Sequence, residues 1–561
     1  MTPKTEKKAR QSICDESIDE SCGGSGGSES RRVYETTGSE NDNIDNEMDT
    51  TSSSRKPKME RSRPRLMKRL SQRISKEMLR RRTSIIDSLP DTPAGWTVLV
   101  TALSSLGLGY ELQLQKSLTM PPTVYRQVHN FNSNSNSNNN NNTLLPLDKI
   151  HAHLSATPTS LLRRTIQPSL FVGTRSVVAS TVAYLAGGPR PRAKRFRVTE
   201  IVTMPLDGAR VSLDWEFPMS KENDDDDQQQ QQPTVLHPQS HVVLLWHGIN
   251  NDSSFGYIRS AMRACTDRGW AAVGVNFRGC GGVPLATPRG YTGAYTGDMR
   301  GVVQILSGRL AATATTPEKY KLFLVGNSLG ANLVTKYLGE EGLGGTLPRC
   351  VAGGISLGNP MHLHSGHIQF PWGHILSLGA RKTILENFMV FRKMTSVFFQ
   401  ERIRMALMAS TIGKFDEALA PIFIRNSPFP PFQPLIGYED AEEYWKDGSS
   451  YRYISHISVP FLQLSSDDDF LVSTSSSQKL HYSLSNPNVL VVNTRCGGHL
   501  GWRECPPDHK FGLGTSWADG ATVDFIDAVL TSGDKSVVPN GAKGKRRESA
   551  EEEATLLKSR L

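Results

Sequence analysis

The sequence predicts an α/β fold: a mainly parallel sheet flanked by helices on both faces, with a helical lid inserted late in the chain. Short, almost wholly apolar runs such as His241–Trp246, Ala271–Phe277 and Val351–Leu357 alternate with helical stretches. Runs of this kind are strands buried on both faces. The chain's glycine-rich turns follow the ends of these runs, where ligands bind in such sheets. A long segment rich in Phe, Met, Leu and Ile separates Asn359 from Pro460.

Taken in order, Phe196–Met204 and Ala209–Phe217 flank Pro205-Leu206-Asp207-Gly208 and read as a β-hairpin. His241–Trp246 is a buried strand ending in His247-Gly248. Ile258–Arg268 is helical. Ala271–Phe277 is a strand that ends in Arg278-Gly279-Cys280, and Thr296–Leu306 is helical. Lys321–Val325 is a strand followed by the helix Ala331–Leu338. Val351–Leu357, Pro460–Leu464 and Val489–Asn493 complete the strand series. The globular domain is expected over residues 195–531, with the lid at about 360–459.

The 561 residues allow two to four domains and a large core. Seven Cys, odd in number and without a CxxC pair, suggest neither a zinc site nor a disulfide framework, so a reducing compartment is the default. The net charge of +9 is local. Between Arg55 and Arg82 stand thirteen Lys or Arg against Glu60 and Glu77, so the rest of the chain is near neutral. Charge therefore speaks about the arm's partner and not about a substrate.

Within that arm Met67, Leu70, Ile74, Met78 and Leu79 share helical spacing. A helix on an anionic membrane surface, a solvated basic tail and nucleic-acid binding all remain open. The absence of interleaved aromatics argues against nucleic acid, which is not expected as a partner. Residues 1–91 are read as disordered and basic. Thr92–Tyr110 carries no charge and is read as a membrane anchor or an interfacial helix (92–115). Residues 116–194 read as a linker with an Asn-rich tract, and 532–561 as a disordered charged tail.

Gly326-Asn327-Ser328-Leu329-Gly330 joins a strand directly to a helix. In that context GxSxG is a nucleophile elbow, the signature of the α/β-hydrolase fold, whose chemistry runs in the order Ser, acid, His. Ser328 is the candidate nucleophile. A hydroxyl needs a base and the base needs an orienting acid. His499, in Gly497-Gly498-His499, follows the strand Val489–Asn493, and its glycines are expected to leave the imidazole room. The acid follows Pro460–Leu464 in Asp467-Asp468-Asp469-Phe470. Asp469 is preferred over Asp468 because the acid usually precedes a residue that packs down. The oxyanion hole is assigned to the N–H groups of Leu329 and, in His247-Gly248-Ile249, Ile249. His247 and Asp252 also fit an HxxxxD acyltransferase pattern. No metal and no organic cofactor is needed for this chemistry.

Asp207-Gly208 with Asp214-Trp215, His247-Gly248, Tyr257-Ile258-Arg259, Asn276-Phe277-Arg278-Gly279-Cys280, Gly297-Asp298-Met299-Arg300, Gly326-Asn327-Ser328-Leu329-Gly330-Ala331-Asn332, Gly358-Asn359-Pro360 and Gly497-Gly498-His499 recur in this order. Together they resemble the embryogenesis-associated, abhydrolase-domain group of α/β-hydrolases, which includes medium-chain ester synthase/esterases. The resemblance implies a membrane-associated serine esterase acting on acylglycerols, medium-chain esters or phospholipids. It also implies that the acid lies in x-Asp-Asp-Pro, which maps onto Asp467-Asp468-Asp469-Phe470 with Phe in place of Pro. Two alternatives stand beside hydrolysis. One is an acyltransferase that uses the same three residues. The other is a silent scaffold, whose expected sign is a missing triad member; none is missing.

For location, the basic arm and the uncharged stretch suggest membrane attachment. The final Ser559-Arg560-Leu561 is close to the Ser-Lys-Leu peroxisomal address, and a cytoplasmic enzyme is a further alternative. Asn251-Asp252-Ser253 is a glycosylation sequon inside the predicted oxyanion loop, which argues against a lumenal catalytic domain.

Overall fold

The computed structural model describes residues 93–127, 146–185, 197–218, 235, 238, 240–313, 319–505 and 515–532. The chain divides into two units, Met1–Asp91 and Thr92–Leu561, and all described residues belong to the second. The basic arm, the Asn and Asp/Gln tracts, His509, the charged tail beyond 532 and the terminal tripeptide lie outside them.

In chain order the strands are β1 (Thr123–Tyr125), β2 (Arg197–Thr203), β3 (Arg210–Glu216), β4 (Val242–Trp246), β5 (Ala271–Val275), β6 (Leu322–Asn327), β7 (Val351–Leu357), β8 (Ile424–Asn426), β9 (Pro434–Ile436), β10 (Phe461–Ser466) and β11 (Val489–Thr494). Nine of them form one sheet in the order β1-β11-β10-β7-β6-β4-β5-β3-β2. The six strands from β11 to β5 run parallel, with β1 antiparallel on one edge and the β3–β2 pair antiparallel on the other. β8 and β9 pair by themselves.

The apolar runs form buried strands because alternate side chains serve two cores. In β4, Val243 and Leu245 pack with Phe323, Val325 and Ile355 beneath Phe525 and Ile526 of the helix Trp517–Ser532. Val242, Leu244 and Trp246 face the opposite way, onto Val302, Leu333 and Tyr337 from helices Gly297–Thr313 and Leu329–Gly344. The observed strands agree with the expected runs to within a few residues at each end.

The region read as a linker is part of the domain. β1 pairs with β11, and Leu147, Ile150 and Leu154 of helix Pro146–Ala156 enter the first core. Helix Ser176–Leu185 buries Ala179, Ser180 and Ala183. β1 is three residues long and helix Ser176–Leu185 ten, too short to carry a strong local pattern, although Leu147, Ile150 and Leu154 do share helical spacing.

The uncharged stretch is the front of helix Pro93–Leu118. Among the described residues no helix is long and apolar enough to cross a membrane, which corrects the spanning reading: serines, threonines and glycines dilute its apolar residues. Its C-terminal half is tied down. Glu111 pairs with Arg175 and accepts a hydrogen bond from Thr174 (2.9 Å), while Gln115 donates to the Pro168 carbonyl (2.8 Å). Residues 104–110 are exposed on every side.

Several recurrent residues of the sequence meet in one buried network. The Arg278 side chain, wholly buried, donates to Asp207 in the hairpin turn (2.7 Å) and to Asp298 at the start of a helix (2.7 Å), with the Tyr295 ring 5.3 Å away. Removing one partner of such a cluster leaves buried charge uncompensated. Arg278→Ala is therefore expected to lower unfolding free energy by about 3–5 kcal/mol. The shift in urea midpoint against the unsubstituted chain checks this, and an unchanged midpoint contradicts it.

Candidate active site

All five sequence-predicted residues lie just beyond the carboxyl ends of parallel strands. Ser328 and Leu329 follow β6, Ile249 follows β4, Asp469 follows β10 and His499 follows β11. β6 joins helix Leu329–Gly344 with no intervening loop, so Ser328 is held at φ 55, ψ −116. That conformation is strained for a residue with a side chain. The elbow admits no side chain beside it. A Cβ on Gly326 would lie 2.3 Å from the Gly330 carbonyl oxygen, and one on Gly330 would lie 2.7 Å from the carbonyl oxygen of His247.

Ser328 Oγ is 2.7 Å from His499 Nε2. His499 Nδ1 is 2.9 Å from Asp469 Oδ2 and 3.2 Å from Oδ1. All three side chains are buried. Burial works against the charge of Asp469, but His499, the buried Lys479 ammonium and the Leu471 N–H together hold the carboxyl below its ordinary range. The N–H groups of Leu471 and Val472 add hydrogen bonds to Oδ1 (3.0 and 3.3 Å). This is the hydrogen-bonded line a nucleophile, base and orienting acid require.

The three consecutive carboxylates have separate partners. Asp467 accepts from Asn493 Nδ2 (2.5 Å), and Asp468 accepts the Gly498 N–H (2.7 Å). Burial pushes the Asp468 carboxyl up. Phe470 packs on the Trp372 ring, with centroids 4.9 Å apart.

The glycines before His499 do something other than make room for its ring. At Gly498 (φ +55) a Cβ would lie 2.5 Å from the Ser176 carbonyl oxygen. The loop is thereby drawn against helix Ser176–Leu185, whose Ser180 Oγ accepts the His499 N–H (2.9 Å). Sequence reasoning misses Ser180: it lies in the segment read as linker and in no recognisable motif.

In the loop after β4, Gly248 N–H donates to Tyr257 Oη (2.9 Å) and Asn250 N–H to Tyr291 Oη (3.0 Å). The N–H groups on either side of Ile249 are thus occupied. His247 serves the same loop: Nε2 accepts the Phe277 N–H (3.2 Å), which leaves Nδ1 to donate to the Gly248 carbonyl (2.7 Å). Burial brings its imidazolium down to about 4. With both nitrogens engaged, His247 has no free ring nitrogen to act as the base of an HxxxxD pair.

An apolar pocket of about 950 Å³, counted to its open mouth, adjoins the elbow. Ile249 and Leu329 line it, though Ser328 does not, together with Leu285, Ala380, Ile384, Ile403, Phe415 and Leu419. Asp416 and His367 interrupt this wall. Burial pushes the Asp416 carboxyl up to about 7 and brings the His367 imidazolium down to about 4. Both groups escape sequence reading, because a single Asp or His in an amphipathic segment carries no pattern.

The sheet, the elbow and this Ser–His–Asp line define an α/β-hydrolase of the serine esterase and lipase class. No family model matches the chain. It is 28% identical over 335 residues to an abhydrolase domain-containing protein of Dictyostelium discoideum, covering 59% of this chain and 74% of that one. It is 26% identical over 364 residues to the embryogenesis-associated protein EMB8 of Picea glauca (64% and 71%). To a monoacylglycerol lipase of Saccharomyces cerevisiae it is 30% identical over 269 residues (46% and 54%). An esterase of known structure from Pyrococcus furiosus overlaps 55% of this chain and 87% of its own, at 15% identity and a TM-score of 0.29. The chain is thus similar to proteins of the embryogenesis-associated and abhydrolase-domain kind.

Proposed function

We propose that the chain hydrolyses carboxylic esters of lipids through an acyl-enzyme on Ser328. The observation that carries this is the continuous line from Ser328 Oγ through His499 to Asp469 beside an apolar pocket. Ser328 Oγ attacks the acyl carbon while His499 Nε2 takes its proton. The carbonyl oxygen becomes an oxyanion held by the N–H groups of Leu329 and Ile249. His499 returns the proton to the departing alcohol. Water, deprotonated by the same nitrogen, then attacks the acyl-enzyme; the bond from the acyl carbon to Ser328 Oγ breaks, Oγ takes the proton back from His499, and the fatty acid leaves. Asp469 keeps Nδ1 protonated and Nε2 free to accept.

An apolar wall beside a serine nucleophile suits an acyl chain, and the relative named as a monoacylglycerol lipase supports the same substrate class. Product analysis with a monoacylglycerol, with and without added ethanol, tests the reading. Free fatty acid should dominate in both cases. Ethyl ester as the main product would make the chain a transferase, and no turnover of any ester would contradict the proposal.

The same reading attaches the enzyme to a membrane. The exposed apolar residues Leu106, Leu108, Tyr110 and Leu112 of helix Pro93–Leu118, together with the basic Arg55–Arg82, support an interfacial hold. A chain starting at residue 120 is expected to leave the sedimented membrane fraction that the full chain enters at moderate salt, and alkaline carbonate should release the full chain as it does other surface-held proteins. Identical soluble behaviour of both would refute the attachment. Relocation from peroxisomes on loss of the last three residues would assign the address to Ser559-Arg560-Leu561.

A further inference from the structure

Between β7 and β10 the chain forms a cap above the site. Its helix Trp372–Glu386 is apolar on two opposite faces. Ser377, Ala380 and Ile384, spaced three and four apart, face inward and are buried. Ile375, Leu378 and Leu385 lie on the other side and are 50%, 58% and 60% exposed. Helix Val397–Met408 repeats the arrangement. Phe399, Ile403 and Ala406 are buried, whereas Val397 (84%), Phe398, Met405 and Met408 (74%) face solvent. Helical spacing puts each exposed set on one side of its helix. Soluble monomers rarely expose so many large apolar side chains together.

Two further observations say what covers this face. Its inner side is the acyl pocket: Ala380, Ile384 and Ile403 line the cavity from the same two helices. Its charge is one-sided. Residues 370–408 hold six Lys or Arg against Glu386 and Glu401. Both acids are already paired, with Lys382 and Arg404 (3.4 Å each). Arg381, Arg392, Lys393 and Arg402 remain as excess positive charge, and Arg402 lies over the exposed Phe398 ring at 4.9 Å. An apolar face on a segment with excess cations complements a bilayer that carries anionic headgroups. A protein partner of acidic, apolar surface would need no pocket behind the face.

We propose that the outer face of the cap helices Trp372–Glu386 and Val397–Met408 docks onto an anionic lipid surface, holding the two helices that wall the pocket against the layer that carries the substrate. This rests on the lipid-ester reading of the site and adds the surface that meets the lipid, distinct from helix Pro93–Leu118.

The test uses the full chain with phosphatidylcholine vesicles, with and without phosphatidylserine. One variant combines Leu378→Ser, Leu385→Ser and Met408→Ser; a second combines Arg392→Glu and Lys393→Glu. All five side chains are exposed and none lines the pocket, so turnover of a soluble short-chain ester serves as the control for folding. Each variant is expected to lower the vesicle partition coefficient and the rate on a vesicle-borne ester by about tenfold. Soluble-ester turnover should stay within about twofold, a difference worth no more than a few tenths of the tenfold step. The charge-reversed pair should lose binding chiefly on the phosphatidylserine vesicles. Unchanged partitioning of both variants would overturn the docking. So would a lipid-free dimer of the full chain that the apolar variant dissociates, because the face would then cover a second copy. If the full chain hydrolyses no ester, the functional reading fails while the partition measurement still decides the docking.

Discussion

Ser328→Ala is expected to stop ester hydrolysis while leaving the fold intact. Loss of a nucleophile that acts with its base as one unit lowers kcat by about 10⁶ in enzymes of this chemistry. The elbow geometry explains why no neighbour substitutes. Ser328 Oγ is the hydroxyl placed 2.7 Å from His499 Nε2, and the flanking Gly326 and Gly330 have no room for any side chain. Ala keeps a Cβ at a backbone position the fold already holds at φ 55, so the urea midpoint should scarcely move. Turnover within tenfold of the unsubstituted chain would contradict the assignment.

Asp469→Asn is expected to lower kcat by about 10⁴, the loss that follows when the imidazole takes the wrong tautomer. An amide N–H₂ facing Nδ1 makes that nitrogen an acceptor. The proton then sits on Nε2, which can no longer take one from Ser328. Asp468→Asn tests the alternative one residue away. Its oxygen accepts the Gly498 N–H, and an asparagine oxygen can do the same. The effect of that change should be small, within about tenfold. Comparable losses in the two variants would put the acid elsewhere.

Much of this architecture is legible in the sequence. The parallel strands announce themselves because burial on both faces makes them almost wholly apolar, as in Val242–Trp246. Ser328 is legible because a strand, a tight turn and a helix meet at glycines, and His499 because it follows the last parallel strand. Within the run of three carboxylates the sequence favours Asp469 only through the residue after it, since their distinct partners, Asn493, Gly498 and His499, come from another strand and its loop. The elements before residue 195 read as linker because β1 and helix Ser176–Leu185 gain their burial from long-range packing and carry no strong local pattern. Ser180, Tyr257 and Tyr291 support the site through hydroxyls that reach it only in the folded chain. The recurrent Asp207, Arg278 and Asp298 are explained by one buried ion network and not by chemistry at the site.

The central claim is that Ser328 becomes covalently acylated. Reaction of the purified full chain with a fluorophosphonate, followed by intact mass and peptide mapping, measures this most directly. The account predicts a single adduct on the peptide carrying Ser328, formed far more slowly in Asp469→Asn and absent in Ser328→Ala. An adduct on another residue, or a folded chain that Ser328→Ala leaves equally labelled, would contradict it.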